Sequence, residues 1–438
     1  MSPTSIHAFE RPMRRLWPPA STSRVASTED LVSATGYGCC ILGAGRARGF
    51  WTVAATNAFF LFAAAAPSPL YGVYAARWRF SAITLTEVFG VYAIALLITL
   101  LATGSLSDSV GRRPVILGAI GLQLIGMLTF LAASDVSWLY VARVVQGVAT
   151  GLATSALSAS FVDLQPRERP ALGPVVTSAT PPVGLALGAL TSAALVQYGP
   201  DPLHFVYWLL LAGFVVAGFA TYAISEPAAQ RGQLHLLPRI GIEASIRPAF
   251  VAALPSLIAG WAVGGFYLSL GPSVILQLAG SSNRVLGGVA IALLTGVGAA
   301  SIVAFSSWPP ARAMTAGGSS LLVGLAVTVL AIASAAPVVF FAGAAITGVG
   351  FGVGWLGVVR SLVNRASPTE RGALLAAIFI VAYLSFAVPA VVAGFLVTRI
   401  GLHDASLWYA GGVAVLALAG LVGSLSVGRT SRAVAGAR

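Results

Sequence analysis

Long apolar stretches alternate with short polar ones along this chain. A helix that crosses a bilayer needs about 20 mostly apolar residues. Runs of that kind fall at 50–73, 83–103, 114–133, 137–161, 171–197 and 204–224. A second set falls at 247–277, 284–306, 313–334, 337–362, 372–398 and 405–427. Between the sets, "SEPAAQRGQLHLLPRIGIEASIRP" is the longest polar interruption after residue 48. The pattern predicts an all-α polytopic membrane protein with twelve transmembrane helices in two six-helix bundles. The expected layout is a leader over 1–48, bundles over 49–224 and 247–427, a central loop over 225–246 and a tail over 428–438. The leader, rich in Ser, Thr, Pro and Arg, is expected to be disordered.

Composition supports the bilayer. Only 9% of the 438 residues are charged and 57% are hydrophobic. A soluble domain carries about 25% charged residues, so this chain could not cover a globule with a solvated surface. The net charge of +12 comes from arginine alone among the basic residues, since the sequence has no lysine. Nucleic acid is not needed to explain it, because loop charges set membrane orientation. With a cytoplasmic N-terminus, 20 of the 25 arginines fall on the cytoplasmic side and four (Arg77, Arg79, Arg284 and Arg399) on the other. Both termini are therefore expected in the cytoplasm, in a cell inner (plasma) membrane. The adjacent Cys39 and Cys40 make neither a staple nor a metal-ligand spacing, and residues 1–48 lack a signal-peptide pattern.

The two sets also repeat. "PRERPAL" (Pro166 to Leu172) and "PTERGAL" (Pro368 to Leu374) share five residue types at one offset of 202. Each follows a glycine-bearing apolar run and opens another, as in a duplicated six-helix unit.

"GSLSDSVGRRP" (Gly104 to Pro114) concentrates charge between the second and third runs. Glycines at both ends of its charged core allow a tight turn. Asp108 and Arg112 are four apart, so a helical turn lets them pair. Gly104, Asp108, Gly111, Arg112 and Arg113 resemble the signature loop of the major facilitator superfamily. "RVVQG" (Arg143 to Gly147) resembles that family's second motif, and "PPVGLALG" (Pro181 to Gly188) a degraded form of its antiporter motif. The C-terminal counterpart of the loop, "SSWPPARAM", has lost the Asp and the glycines. The resemblance implies two bundles that rock around a central site. It also implies that Asp108 and Arg112 belong to a conformational latch, with Asp163 as a third member, and that Arg143 supports proton coupling.

Ionisable residues within spans default to functional hypotheses. Glu87 is the one carboxylate placed inside the hydrocarbon by this reading. It is either a proton carrier with a pKa raised by desolvation or an acid close enough to the surface to reach water. Arg143 lies at similar depth. If the two face each other, breaking the pair would release Glu87 to take a proton. Snorkelling to the interface is the other reading of Arg143. Asn57, Gln146, Trp261, Tyr267, Trp355 and Tyr383 are candidates to line a substrate cavity.

These features point to a secondary transporter exporting small amphipathic or drug-like molecules, with protons as coupling ion, acting as a monomer without cofactor or metal. The sequence has no G-x-x-x-x-G-K-[ST] loop, and no paired aspartates in spans, H-E-x-x-H helix or Ser–His pair at depth, so neither ATP-driven transport nor an intramembrane enzyme is expected. Uptake of a metabolite through the same fold, or a receptor that binds without transporting, are the alternatives.

Overall fold

The structure is a computed structural model. It describes residues 28–438 apart from 167, 170, 171, 228–239, 368 and 437–438, with side chains described between Gly45 and Ser424. In the unit that ends at Ala44, helical backbone is described from Thr28, within the stretch expected to be a disordered leader. Gly45–Arg438 form the other. Arg167, Pro170, Ala171 and Pro368 of the repeated loops, and most of the central loop, lie outside the described residues.

Eleven described helices are long and apolar enough to cross a membrane. The first ten are Gly45–Trp78, Ala82–Ala102, Arg112–Leu131, Val136–Leu164, Leu172–Tyr198, Phe205–Ala223, Arg247–Ser269, Val285–Ala304, Pro310–Ala333 and Pro337–Val363. The eleventh, Arg371–Ser424, has 54 residues. At 1.5 Å per residue that is about 80 Å, far more than a hydrocarbon core of about 30 Å. Its backbone leaves the helical region at Gly401 (φ 84°, ψ 167°). Leu374 packs with Ile246 and Phe250, and Gly423 lies against Ala252. The chain has therefore returned to the end where it started, and the stretch forms two spans, eleven and twelve. Among the described residues the count is twelve, in two bundles of six.

Successive spans alternate in direction. One end of the molecule, the loop end, carries residues 103–111 and the starts of the odd-numbered spans after the first. The far end carries the starts of the even-numbered spans. Side chains cap two of those starts: Ser137 N donates to Asp135 Oδ1 at 2.7 Å, and Thr84 N to Ser81 Oγ at 3.3 Å. Such caps satisfy amides that have no partner inside the helix.

With little hydrophobic drive between helices in lipid, close backbone approach takes its place. A Cβ at Gly184 or Gly188, both in the fifth-span motif, would overlap the carbonyl oxygens of Ala58 and Phe62 on the first span. The halves meet along two seams. On the first, the Phe89 and Phe386 rings of spans two and eleven lie 4.9 Å apart, and Gly394 fits against Thr86. On the second, a Cβ at Gly288 of span eight would lie 2.9 Å from the Ala189 carbonyl of span five. Just above it, Arg284 N donates to Gln197 Oε1 at 2.9 Å.

The opening helices of both halves break at equivalent places. Span one tightens into a 3₁₀ turn at Ser68–Leu70, between Pro67 and Tyr71. Span seven ends at Ser269 and a short helix, Gly271–Leu278, restarts with Pro272 in its first turn. Ser68 and Leu270 are 202 residues apart, the offset of the repeated loops.

Candidate functional site

At the loop end, the short helix Leu106–Val110 brings Asp108 one turn from Arg112. Arg112 Nη1 pairs with Asp108 Oδ1 and donates to Ser107 Oγ at 2.9 Å. Its Nε donates to Asp163 Oδ2 at 3.0 Å. The carbonyl of Asp163 accepts from Arg46 at 2.7 Å. All these partners belong to the N-terminal half. Gly111 adopts φ +114°, a region costly for side chains, and a Cβ there would lie 3.0 Å from Glu226 Oε2. Gly104 is in an exposed turn with ordinary φ, and a Cβ there would meet the Leu100 carbonyl at an ordinary 3.5 Å, so of the two glycines only Gly111 is conformationally required.

Glu226, just past span six, escaped the sequence reading. Its carboxylate accepts from Arg112 N at 2.7 Å and Arg113 N at 3.1 Å, capping the third span at its positive dipole end. The Arg113 guanidinium stacks on the Tyr222 ring at 4.4 Å. The cluster thus ties together spans one, three, four and six. In the C-terminal half, Arg360 donates to the Ser306 carbonyl instead of a carboxylate, and Arg312 stacks on Trp308 at 4.1 Å.

In the bundle interior, Arg143 is 1% exposed. It donates to the Ala64 carbonyl at 3.1 Å and to Gln146 Oε1, and its guanidinium lies 4.2 Å from the Tyr92 ring centre and 5.9 Å from that of Tyr71. Gln146 in turn donates to the Ala63 carbonyl at 2.9 Å. Snorkelling is thereby corrected: the guanidinium points into the bundle. The expected Glu87–Arg143 pair is also absent. Glu87 is exposed and accepts from Tyr140 OH at 2.7 Å. The physical reason is rotation about span two. Tyr92 meets Arg143, and five residues at about 100° each put Glu87 roughly 140° away on that helix.

The cavity candidates divide. Trp261, Trp355 and Tyr383 converge: Trp261 lies 5.4 Å from Trp355, 5.1 Å from Tyr383 and 6.0 Å from Phe386, ring centre to ring centre. Trp261 and Trp355 line a cleft of about 470 Å³, measured out to the open surface, with glycines of spans seven, nine and ten. Tyr383 and Phe386 also pack with Tyr92 and Leu96 of the N-terminal half. Tyr267 does not join them. It is buried, donates to or accepts from Thr328 at 2.9 Å and lies 5.4 Å from Phe340, ring centre to ring centre, with the rings tilted, inside its own bundle. Asn57 donates to Thr180 Oγ1 at 2.8 Å and ties span one to span five. Among the described residues no group of three or more His, Cys, Asp or Glu side chains could hold a metal.

Two solved structures share this architecture. The crystal structure of the human organic anion transporter MFSD10 (TETRAN) is 16% identical, with a TM-score of 0.63 over 86% of this chain and 99% of that one. That of a variant of the nucleoside transporter NupG is 13% identical, with a TM-score of 0.67 over the same shares, 86% and 99%. Identity this low speaks for the fold alone. No curated protein sequence matches the chain. A family model described as Major Facilitator Superfamily matches residues 50–326, well over half of the chain, and the protein belongs to that family.

Proposed function

We propose that the protein is a secondary transporter that exports small amphipathic molecules by alternating access. The aromatic wall carries this reading. Trp261, Trp355, Tyr383 and Phe386 offer an apolar, weakly polar surface next to Tyr92 and Arg143 of the other half. A sugar would need many hydrogen-bonding side chains, and that wall has few. Export is proposed from the resemblance of Pro181–Gly188 to the family's antiporter motif, and because that motif is degraded here, uptake through the same fold is the alternative. With the loop end on the cytoplasmic side, as the arginine bias indicates, the described contacts of Phe89 with Phe386 and of Gly288 with Ala189 lie toward the opposite face.

Protons are the proposed coupling ion. Glu87 sits outside the bundle, so the role of proton acceptor falls to Asp108 and Asp163, which would lose Arg112 when the latch opens. The test is flux in proteoliposomes containing the purified protein, with a fluorescent amphipathic probe and an imposed pH gradient. Accumulation that collapses with the gradient supports the reading. Binding without flux would make the protein a receptor, and accumulation independent of pH would remove the proton.

A further inference from the structure

The broken ends of spans one and seven face each other at the far end and enclose a small polar pocket. Ser68, Pro69, Tyr71, Gly72 and Leu85 line it from the N-terminal half. Ser269, Pro272, Ser273, Leu276 and Arg284 line it from the C-terminal half. Ser68 Oγ has no hydrogen-bond partner, though the residue is only 3% exposed; the Tyr71 oxygen, in a residue 1% exposed, lies beside the Arg143 guanidinium, which can only donate to it, so the phenol O–H has no described acceptor. Leaving a buried donor unpaired costs roughly 1–3 kcal/mol, so an acceptor that entered this pocket would be bound favourably.

The third element is Arg284. A Cβ at Gly72 would lie 2.7 Å from its Nη1, so the guanidinium rests on span one only because residue 72 has no side chain. No described acceptor pairs with that guanidinium; the bond Arg284 makes to Gln197 is through its backbone amide. Three acids of the far end face other partners: Glu87 takes the Tyr140 hydroxyl, Asp135 caps Ser137 and Asp201 holds His204. Arg143, the next cation inward, lies 5.9 Å from the Tyr71 ring.

The Ser68 and Tyr71 O–H groups and the Arg284 guanidinium are donors without a described acceptor. A guanidinium has no lone pair to offer and stays charged in proteins. Water would satisfy the hydroxyls but leave the positive field of Arg284 and Arg143 uncompensated, and a cation would add to it. We infer that this pocket binds a small monoanion, a halide or a carboxylate group, between Arg284 and the hydroxyls of Ser68 and Tyr71. Because its ligands come from both halves, the bound anion bridges them and holds the far end closed. The closure rests on the alternating-access reading; the binding does not.

The experiment is thermal unfolding of the full-length protein in detergent, titrated with chloride, acetate or benzoate at constant ionic strength, with sulfate, a dianion and no carboxylate, making up the balance. The expected result is a saturable rise of a few degrees in the midpoint. Arg284→Gln should abolish it, and Ser68→Ala and Tyr71→Phe should each raise the half-saturating concentration severalfold. Gly72→Ala, which displaces the guanidinium while keeping Arg284, should abolish it too, and guards against an Arg284 variant that fails to fold. A response to chloride and acetate alike marks a site for free small anions; a response to benzoate alone marks the acidic group of a larger cargo. A midpoint that follows ionic strength without saturating, or a rise unchanged in Arg284→Gln and Gly72→Ala, overturns the site.

Closure has its own readout. Spin labels at Tyr198→Cys and Ser282→Cys, with Cys39 and Cys40 replaced by Ser, report the far-end separation. Saturating anion should enlarge the short-distance population severalfold. An unchanged distribution in a protein that still shows the saturable melt overturns the closure.

Discussion

Arg112 Nε donates to Asp163 Oδ2 at 3.0 Å while the same guanidinium holds Asp108. One cation therefore serves two acids that lie 55 positions apart, one on a loop and one at the end of span four. The Asp163 side chain is 29% exposed and that of Asp108 is 49% exposed. Solvent screens the second pair more. Asp163→Asn should then cost about 1 kcal/mol and Asp108→Asn a few tenths. Both should shift the balance between the two open states, about fivefold for 1 kcal/mol and less than about twofold for a few tenths. Transport should fall in both variants with membrane insertion unchanged. Flux and melting midpoints measured on the same preparations check it; near-normal flux in both would leave the cluster a topology signal.

Glu226 caps the third span from across the N-terminal half, through Arg112 N at 2.7 Å and Arg113 N at 3.1 Å. Glu226→Ala leaves those amides to water and removes a charge from the positive end of the helix dipole. The expected loss is about 1 kcal/mol. Glu226→Gln keeps one acceptor oxygen and should recover part of it. Amide exchange at Arg112 and Arg113 should rise in Glu226→Ala more than elsewhere in the span. Equal exchange in both variants and the parent would show that the cap contributes nothing.

The sequence shows depth far better than rotation. Apolar runs place all twelve spans, because a helix must present about 20 apolar residues to the hydrocarbon whatever its neighbours are. The Asp108–Arg112 pair is visible as a four-residue spacing. Glu226 is not, since its partners lie 114 and 113 positions away and its own surroundings read as a polar linker. The split of the aromatic candidates is hidden for a different reason. Tyr267 and Trp261 share a helix, and only packing against Thr328 and Phe340 turns Tyr267 away from the cleft. Arg143 and Glu87 lie at similar depth, yet span two presents Tyr92 to the arginine.

Glu87 thus becomes a discriminating position. Its carboxylate is exposed and accepts one hydrogen bond, from Tyr140. Glu87→Gln keeps an acceptor of similar shape. Stability should change by less than about 0.5 kcal/mol, as for ordinary surface substitutions. The dependence of transport on the pH gradient should also persist, because the group does not reach Arg143. A variant that binds and exchanges substrate but no longer concentrates it would return Glu87 to the coupling path.

Gly184 and Gly188 provide the strictest test of packing. Each faces a backbone carbonyl of the first span, Ala58 and Phe62 respectively, where the two helices touch without intervening side chains. An added Cβ meets a main-chain oxygen, which cannot swing aside as a side chain can. Either the helices separate or the bundle strains, and overpacking of this kind costs about 1–3 kcal/mol. Separation would also stretch the Asn57–Thr180 hydrogen bond, now 2.8 Å, which joins the same two spans. Gly184→Ala and Gly188→Ala should each lower the melting midpoint by several degrees, and Gly188→Val more than Gly188→Ala. Asn57→Ala should lower it less, since it leaves a hydroxyl that water or the helix backbone can satisfy. Combining Gly184→Ala with Asn57→Ala should give less than the sum of the two, because the first change has already loosened the bond that the second removes. Additive losses would mean that the first and fifth spans hold their distance when Gly184 is filled, and that the contact with Ala58 is not what sets it.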